Sequence, residues 1–392
     1  MIVWLAGSLG SISASTLVLL PDYRESIQQT LEKAGGNQKE LSKALSLVPE
    51  NQSKGMQFLI AYMPEHDSKH LNADFLLKNV ALAYKARETF PWAKDVPEDI
   101  FLNDILPYAL LNERRDNWRQ DFFDRFSKHV EGVKTQGEAI KAVNAAIQNE
   151  VKVKYNTKRK KPDQSPYESM EQGMASCTGL SILLSDAFRA VGIPSRIVGI
   201  PLWTTMRGNH NWVEVWVADQ NEWMFTEYNP SQKGLNHGWF LGHAAKANEA
   251  SFLHSVYASS WKTTGKHFPL VWDMKRKDVP AVNVTQRYVE LGGGKPDEKL
   301  CELRVQFWKG DRRVAVPLMV MQGDVMIKQG SSPKPTDDLN RFFTAGLKKG
   351  QIYQVRWRDP ETGKIQVKQI SIPKDKNWFL IKLPDGEVFD RS

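Results

Sequence analysis

The chain has 392 residues, 41% of them hydrophobic, and a net charge of +8. That length gives two or three domains with buried cores and excludes a highly charged, core-less polymer. Apart from Lys158-Arg159-Lys160-Lys161 the basic excess is diffuse and carries no nucleic-acid motif, so nucleic acid is not the expected partner, while an acidic peptide or an anionic cell-envelope polymer fits.

Met1 to Leu20 is uncharged and includes Val3-Trp4-Leu5 and Thr16-Leu17-Val18-Leu19-Leu20. Residues 1–21 therefore form an apolar segment that is similar to an export signal but lacks a basic start and is interrupted by Gly and Ser. The expectation is an exported protein, periplasmic or extracellular. A spanning anchor fits less well, since the segment is barely long enough. From Asp22 to Glu150 apolar periodicity predicts helices over Tyr23–Ala34, Lys39–Leu47, Leu71–Ala86, Pro97–Leu111, Trp118–Val130 and Gly137–Glu150. Thr135 and Glu138 have capping-box spacing, and Pro97 suits a first helical position. Residues 22–134 are thus expected to form a helical domain.

The Lys158–Lys161 run, followed by Pro162, Ser165 and Pro166, reads as a solvated loop. Beyond it stands Gly173-Met-Ala-Ser-Cys177-Thr-Gly-Leu180. Leu180, Leu184, Ala187, Phe188 and Val191 recur at helical spacing, and Gly192 with Pro194 stops the helix, so Cys177 falls at a helix start. There the unpaired N–H groups and the positive dipole end favour a thiolate, the nucleophilic form, and can also donate to a developing oxyanion. A free cysteine is more often a buried packing residue, but a core position gains nothing from a helix start flanked by Ser176, Thr178 and Gly179.

His210 opens an alternating strand through Trp212, Val213, Val215 and Val217. After a turn at Ala218 to Asn221 the chain returns through Trp223, Phe225 and Tyr228 to Asn229-Pro230. This hairpin sets His210 across from Glu227 and Asn229, which share strand parity. Either can hold the second ring nitrogen and steady an imidazolium. Trp203 and Trp212 either border a substrate channel or pack the core. His237 and His243 take no role.

Lys262 to Pro280 reads as a Lys-rich connector, and the remainder as strands over Val282–Leu291, Leu300–Trp308, Arg313–Met321, Gln351–Trp357, Ile365–Ile372 and Trp378–Leu383. Asp359-Pro-Glu-Thr-Gly363 forms a turn. Cys301 alternates inward with Leu303, Val305 and Phe307 and reads as core. Short strands with turn signals predict a β-sandwich of immunoglobulin-like shape over 263–392. No His or Cys cluster has metal-ligand spacing, so neither metal nor cofactor is expected.

Ser176-Cys177-Thr178-Gly179-Leu180 before a helix ending Gly-Ile-Pro-Ser-Arg, then His210-Asn-Trp-Val-Glu-Val, then Trp223 through Asn229-Pro230, resembles the core of the transglutaminase-like superfamily. The resemblance covers roughly residues 135 to 245, and Glu88 to Arg119 is similar, more weakly, to the helical N-terminal part of bacterial members. It implies an α+β fold with a papain-like core over 135–262. It also implies Cys177 as nucleophile, His210 as general base, and Asn229 or Glu227 as the orienting residue, with Asn229 narrowly preferred. The family usually places Asp four residues after the strand tryptophan and immediately before the Pro; here Glu227 has the tryptophan spacing and Asn229 stands before the Pro. Gln172 lies where papain-like enzymes carry an oxyanion-hole glutamine. The implied activity is acyl transfer from a peptide or protein amide through a thioester, most readily as a hydrolase or peptidase. Protein cross-linking and an inactive binding scaffold are the alternatives.

Overall fold

The computed structural model describes residues 19–293, 299–310, 312–335, 337, 342–376, 378–384 and the backbone of 387–389. Residues 1–18 of the apolar N-terminal segment lie outside these. Among the described residues no helix is long and apolar enough to cross a membrane.

The chain from 21 to 127 is helical, and local chemistry marks the ends. Pro21–Ala34 opens on its proline with Asp22 in the first turn. Ala73–Thr89 is capped by Asn72, whose Oδ1 accepts the Phe75 N–H at 2.8 Å. Gln136–Val151 carries the expected Thr135/Glu138 capping box. Ser53–Tyr62 forms a helix where none was expected, because Gly55 through Ala61 are all buried and no polar stripe marks its period. The helix expected over Pro97–Leu111 runs only from Glu98 to Asp104, with Pro97 as its N-cap. Pro107 has no N–H to donate and holds Leu106 away from helical geometry. The carbonyls this leaves bare are met by buried guanidinium groups. Arg119 donates to Ile105, Leu106 and Pro107, and Arg189 to Pro107 and Ala109.

Five antiparallel strands form the central sheet, in the order Glu222–Thr226, His210–Val217, Ser195–Ile200, Tyr257–Ser259 and Ala281–Asn283. Cys177–Ala190 lies across one face, burying Leu180, Leu183, Leu184, Ala187 and Phe188 with Val213, Val215 and Val217. Trp118, Phe122 and Phe126 from the helical region share this core. The opposite face buries Trp203, Trp212, Phe225, Phe240 and Tyr288. Tyr288 belongs to a helix, Thr285–Leu291, which corrects the strand expected over Val282–Leu291. Val284, Tyr288 and Leu291 repeat at helical, not alternating, spacing.

The C-terminal residues form two sheets. One runs Val325–Ser331, Pro317–Gln322, Ile352–Arg358, Ile365–Ser371; the other runs Phe343–Lys348, Leu300–Lys309, Trp378–Leu383, Glu387–Phe389. Both feed one apolar core that includes Cys301, Val305, Val320, Val355 and Phe379. Burial raises the Cys301 thiol to about 11, as befits a packing residue. Strands Val325–Ser331 and Phe343–Lys348 were not expected. The first is exposed at every position and so shows no apolar alternation.

On the sheet face carrying Trp212, the carboxylate of Glu214 is fully buried. It accepts from Arg196 at 2.7 and 2.8 Å, from Arg287 at 2.8 Å and from the Tyr288 hydroxyl at 2.7 Å. Tyr288 in turn accepts from the Trp212 indole at 2.7 Å. Removing one partner of such a network strands the remaining buried charge. Glu214→Ala is therefore expected to cost about 3–5 kcal/mol, read from equilibrium denaturant unfolding.

Candidate active site

Cys177 is the first residue of its helix. Ser176 is the N-cap: its Oγ accepts the Gly179 N–H at 3.1 Å and donates to the Pro162 carbonyl at 2.5 Å. One helix-start donor is thereby used, and the cap is tied to the preceding loop. Gly179 permits close packing, since a Cβ there would meet the Ala175 side chain at 3.0 Å. Cys177 is half-buried, in contrast to Cys301.

His210 is the first residue of the neighbouring strand and is buried. Its Nε2 lies 2.9 Å from Glu227 Oε1. Its Nδ1 is also buried and makes no hydrogen bond, while the ring as a whole interacts with the Cys177 side chain. Resting-state contacts of this kind are commonly loose and tighten on substrate binding. Burial alone would discourage a charged ring, but the interactions with Cys177 and Glu227 outweigh it and push the imidazole up to about 10. His210 is therefore an imidazolium at neutral pH.

Asn211 faces the helix, on the other side of the strand from His210, and its Nδ2 donates to Thr178 Oγ1 at 2.8 Å. Its side chain occupies the space over Gly199, its partner on the adjacent strand, where a Cβ would stand 2.0 Å from Asn211 Oδ1. The residue after the cysteine is thus bonded to the residue after the histidine. Asn144 of the Gln136–Val151 helix performs a similar service for Glu227, donating to its carbonyl at 3.1 Å.

Of the two residues able to hold the imidazole, Glu227 makes the contact. The preference for Asn229 is corrected. Asn229 lines the same pocket, but its Oδ1 accepts from Gln148 Nε2 at 2.6 Å, which draws it toward the helix and away from the ring. Gln172 does not reach the pocket either. It ends the Pro166–Gln172 helix, and Gly173, at φ +62, turns the chain there. Its Oε1 accepts from the Lys160 N–H and its Nε2 donates to the Glu168 carbonyl. Trp203 is core, stacked on Trp212 with centroids 6.2 Å apart. Trp212 reaches the pocket wall while its indole is bonded to Tyr288.

Trp239 was not anticipated. Its Nε1 donates to the same Glu227 oxygen at 3.2 Å and its ring lies 5.0 Å from the imidazole, covering the His210–Glu227 pair while 42% of the residue stays exposed. The pocket over these groups holds about 160 Å³ and also includes Tyr155, Ser181 and, from the C-terminal sheets, Asp337. Among the described residues no group of His, Cys, Asp and Glu is arranged to hold a metal ion.

Residues 124–228 match the family described as the transglutaminase-like superfamily. Over that stretch the chain is similar to a transglutaminase-like core. Solved structures to which it is similar include a candidate cysteine protease from Cytophaga hutchinsonii, at 16% identity over 38% of this chain and 50% of that one, TM-score 0.29. Red sea bream transglutaminase follows at 10% identity over 65% and 57%, TM-score 0.26. A candidate protease from Parabacteroides distasonis matches at 11% identity over 76% and 53%, TM-score 0.22. The chain thus spans between 50% and 57% of the length of these proteins. No curated protein matches it. Within the transglutaminase-like core the family match includes Cys177, His210 and Glu227 and ends at Tyr228, just before Asn229.

Because the folded His210 titrates near 10 against an ordinary value of 6.5, its contribution to stability is complete below about pH 6.5 and is lost as pH rises toward 10. Unfolding free energy measured across that range should fall in the wild type and run flatter in Glu227→Gln. The separation of roles is checked by iodoacetamide labelling of Cys177: Gln172→Ala and Asn229→Ala should leave its rate within about twofold of wild type, and Glu227→Gln should slow it about tenfold or more.

Proposed function

We propose that this protein is a cysteine-dependent amide hydrolase, a peptidase by class, acting on peptide or protein substrates. The observation that carries the reading is the meeting of Glu227, His210 and Cys177 in one pocket, with Nε2 of the ring on the carboxylate and the ring interacting with the thiol. In the first half-reaction the thiolate attacks the amide carbon, and the negative charge moves to the carbonyl oxygen beside the helix-start N–H groups. Collapse of this adduct breaks the C–N bond as His210 gives its proton to the departing amine. Neutral His210 then takes a proton from water, whose oxygen displaces sulfur from the thioester and returns the thiolate–imidazolium pair. Glu227 holds the ring in place and stabilises its charge throughout.

Transfer to an amine would share every step up to the thioester, and cross-linking is kept as the alternative outcome. Within this proposal the two C-terminal sheets are an immunoglobulin-like β-sandwich serving as a spacer or binding module. The protein acts outside the cytoplasm, where an anionic envelope polymer is available as a partner. Residues 22–134, 135–262 and 263–392 are read as its three units.

Iodoacetamide should alkylate Cys177 near pH 7 about tenfold or more faster than the unfolded chain, and His210→Ala should remove that advantage. Peptide turnover should fall by about 10²-fold or more in Cys177→Ala and His210→Ala, with the fold intact by circular dichroism. A wild-type thiol no faster than the unfolded one would sink the enzymatic reading. Incorporation of a labelled primary amine, in preference to peptide release, would replace hydrolysis by cross-linking.

A further inference from the structure

Trp239 belongs to neither the cysteine helix nor the histidine hairpin, yet a turn is built to hold it over the site. Asn236, left-handed at φ +58, donates its N–H to the Phe225 carbonyl and accepts the Phe225 N–H on its side chain, each at 2.9 Å. That pair of bonds clips the turn to the strand leading into Glu227. Gly238 lets the turn close: a Cβ there would stand 2.9 Å from the Phe240 ring, 3.1 Å from the Phe225 ring and 3.3 Å from Glu227 Oε2. Phe240 is fully buried against Trp212, Phe225 and His210, with ring centroids 4.4, 5.0 and 5.2 Å away. Between Gly238 and Phe240, the Trp239 ring lies over the imidazole and its Nε1 donates to Glu227 Oε1, the oxygen that His210 also holds.

Burial does not account for this side chain. An indole left 42% exposed gains less from leaving water than the core indoles of Trp203 and Trp212. What it contributes is the surroundings of a charged pair. Glu227 Oε1 meets a donor on each side, and the indole forms the pocket wall beside it. Attraction between opposite charges weakens as water reaches them, so such a wall strengthens the pair it covers.

We propose that Trp239 is a positioning residue: its indole N–H and ring keep the Glu227 carboxylate on His210 and water away from both, and so maintain the imidazolium that serves the thiolate. It acts through Glu227 rather than on the reacting bond, and the inference rests on the thiol chemistry proposed above. Cys177 and Glu227 are the groups whose charge bears on His210; the rings packed on it, from Trp212, Trp239 and Phe240, are uncharged. Burial opposes the charged ring while those two groups favour it. Water admitted by loss of the indole weakens both influences, and because the favourable one is larger the balance moves back toward the ordinary 6.5.

The charge of His210 can be read on the full chain from the carbon-13 resonance of its imidazole Cε1 against pH, assigned among the eight histidines by its loss in His210→Gln. With wild type titrating near 10, Trp239→Ala should lower the midpoint by about one pH unit or more, and Trp239→Phe, which keeps a ring but not the N–H, by about half as much. Raising NaCl from about 0.05 to about 0.5 M should lower the midpoint further in Trp239→Ala and leave wild type within about 0.2, because only the uncovered pair is open to screening. A residue that merely filled space would change stability but neither the midpoint nor its response to salt. Equal midpoints in wild type and Trp239→Ala would overturn the proposal, as would a wild-type midpoint near 6.5, which leaves no pair to hold. The thiol reading fails by a different measurement: a Cys177 alkylated no faster than in the unfolded chain would end it even with the midpoints displaced as described.

Discussion

The bond from Asn211 Nδ2 to Thr178 Oγ1 is the constraint on which the site depends. A helix start and a strand start are each rigid, but nothing in either element by itself sets the distance between them. Cys177 and His210 are neighbours because the residues that follow them are bonded to one another across the helix–sheet interface. That bond exists because the strand beside Asn211 carries no side chain at Gly199. The interior is packed densely enough that the position of one side chain fixes that of the next. Reacting groups displaced by about an ångström lose much of their rate, so a buried amide outside the chemistry governs it.

The site also shows how charge is kept in a dry place. A buried imidazolium needs compensation, and His210 has it from the Glu227 carboxylate on Nε2 and from its interaction with Cys177. Trp239 adds an N–H to the same carboxylate and covers the pair with its ring. On that same face of the sheet, Glu214 uses the complementary arrangement, a buried carboxylate among two guanidinium groups and a hydroxyl. Buried charge in this protein is matched partner by partner.

What the sequence disclosed was local. The cysteine helix was legible from its cap, its apolar repeat and its Gly-Pro stop, and the histidine hairpin from alternation and turn residues. Strand parity brought Glu227 and Asn229 to one face but could not separate them, because the decision is made by Gln148, a residue on a helix far away in sequence that captures the Asn229 side chain. Gln172 looked close because it is close along the chain, but the left-handed turn at Gly173 sends it elsewhere. Trp239 left no local signal, since it reaches the pocket from a turn far from both motifs, placed by its packing on Phe240 and His210. The helix Thr285–Leu291 read as strand because its flanking residues are β-branched, and tertiary burial of Tyr288 overrode that propensity.

Arg119 and Arg189 supply hydrogen bonds to a stretch of backbone, 105–109, that has no regular structure of its own. Arg189 projects from the last turn of the very helix that Cys177 begins. The amino-terminal helices therefore complete only part of this surface: Arg119 comes from among them, but the donor to the Ala109 carbonyl is delivered by a part of the chain translated later. The carbonyl of Ala109 exchanges water for a guanidinium only once the cysteine helix is in place, so the two regions share one hydrogen-bonded seam.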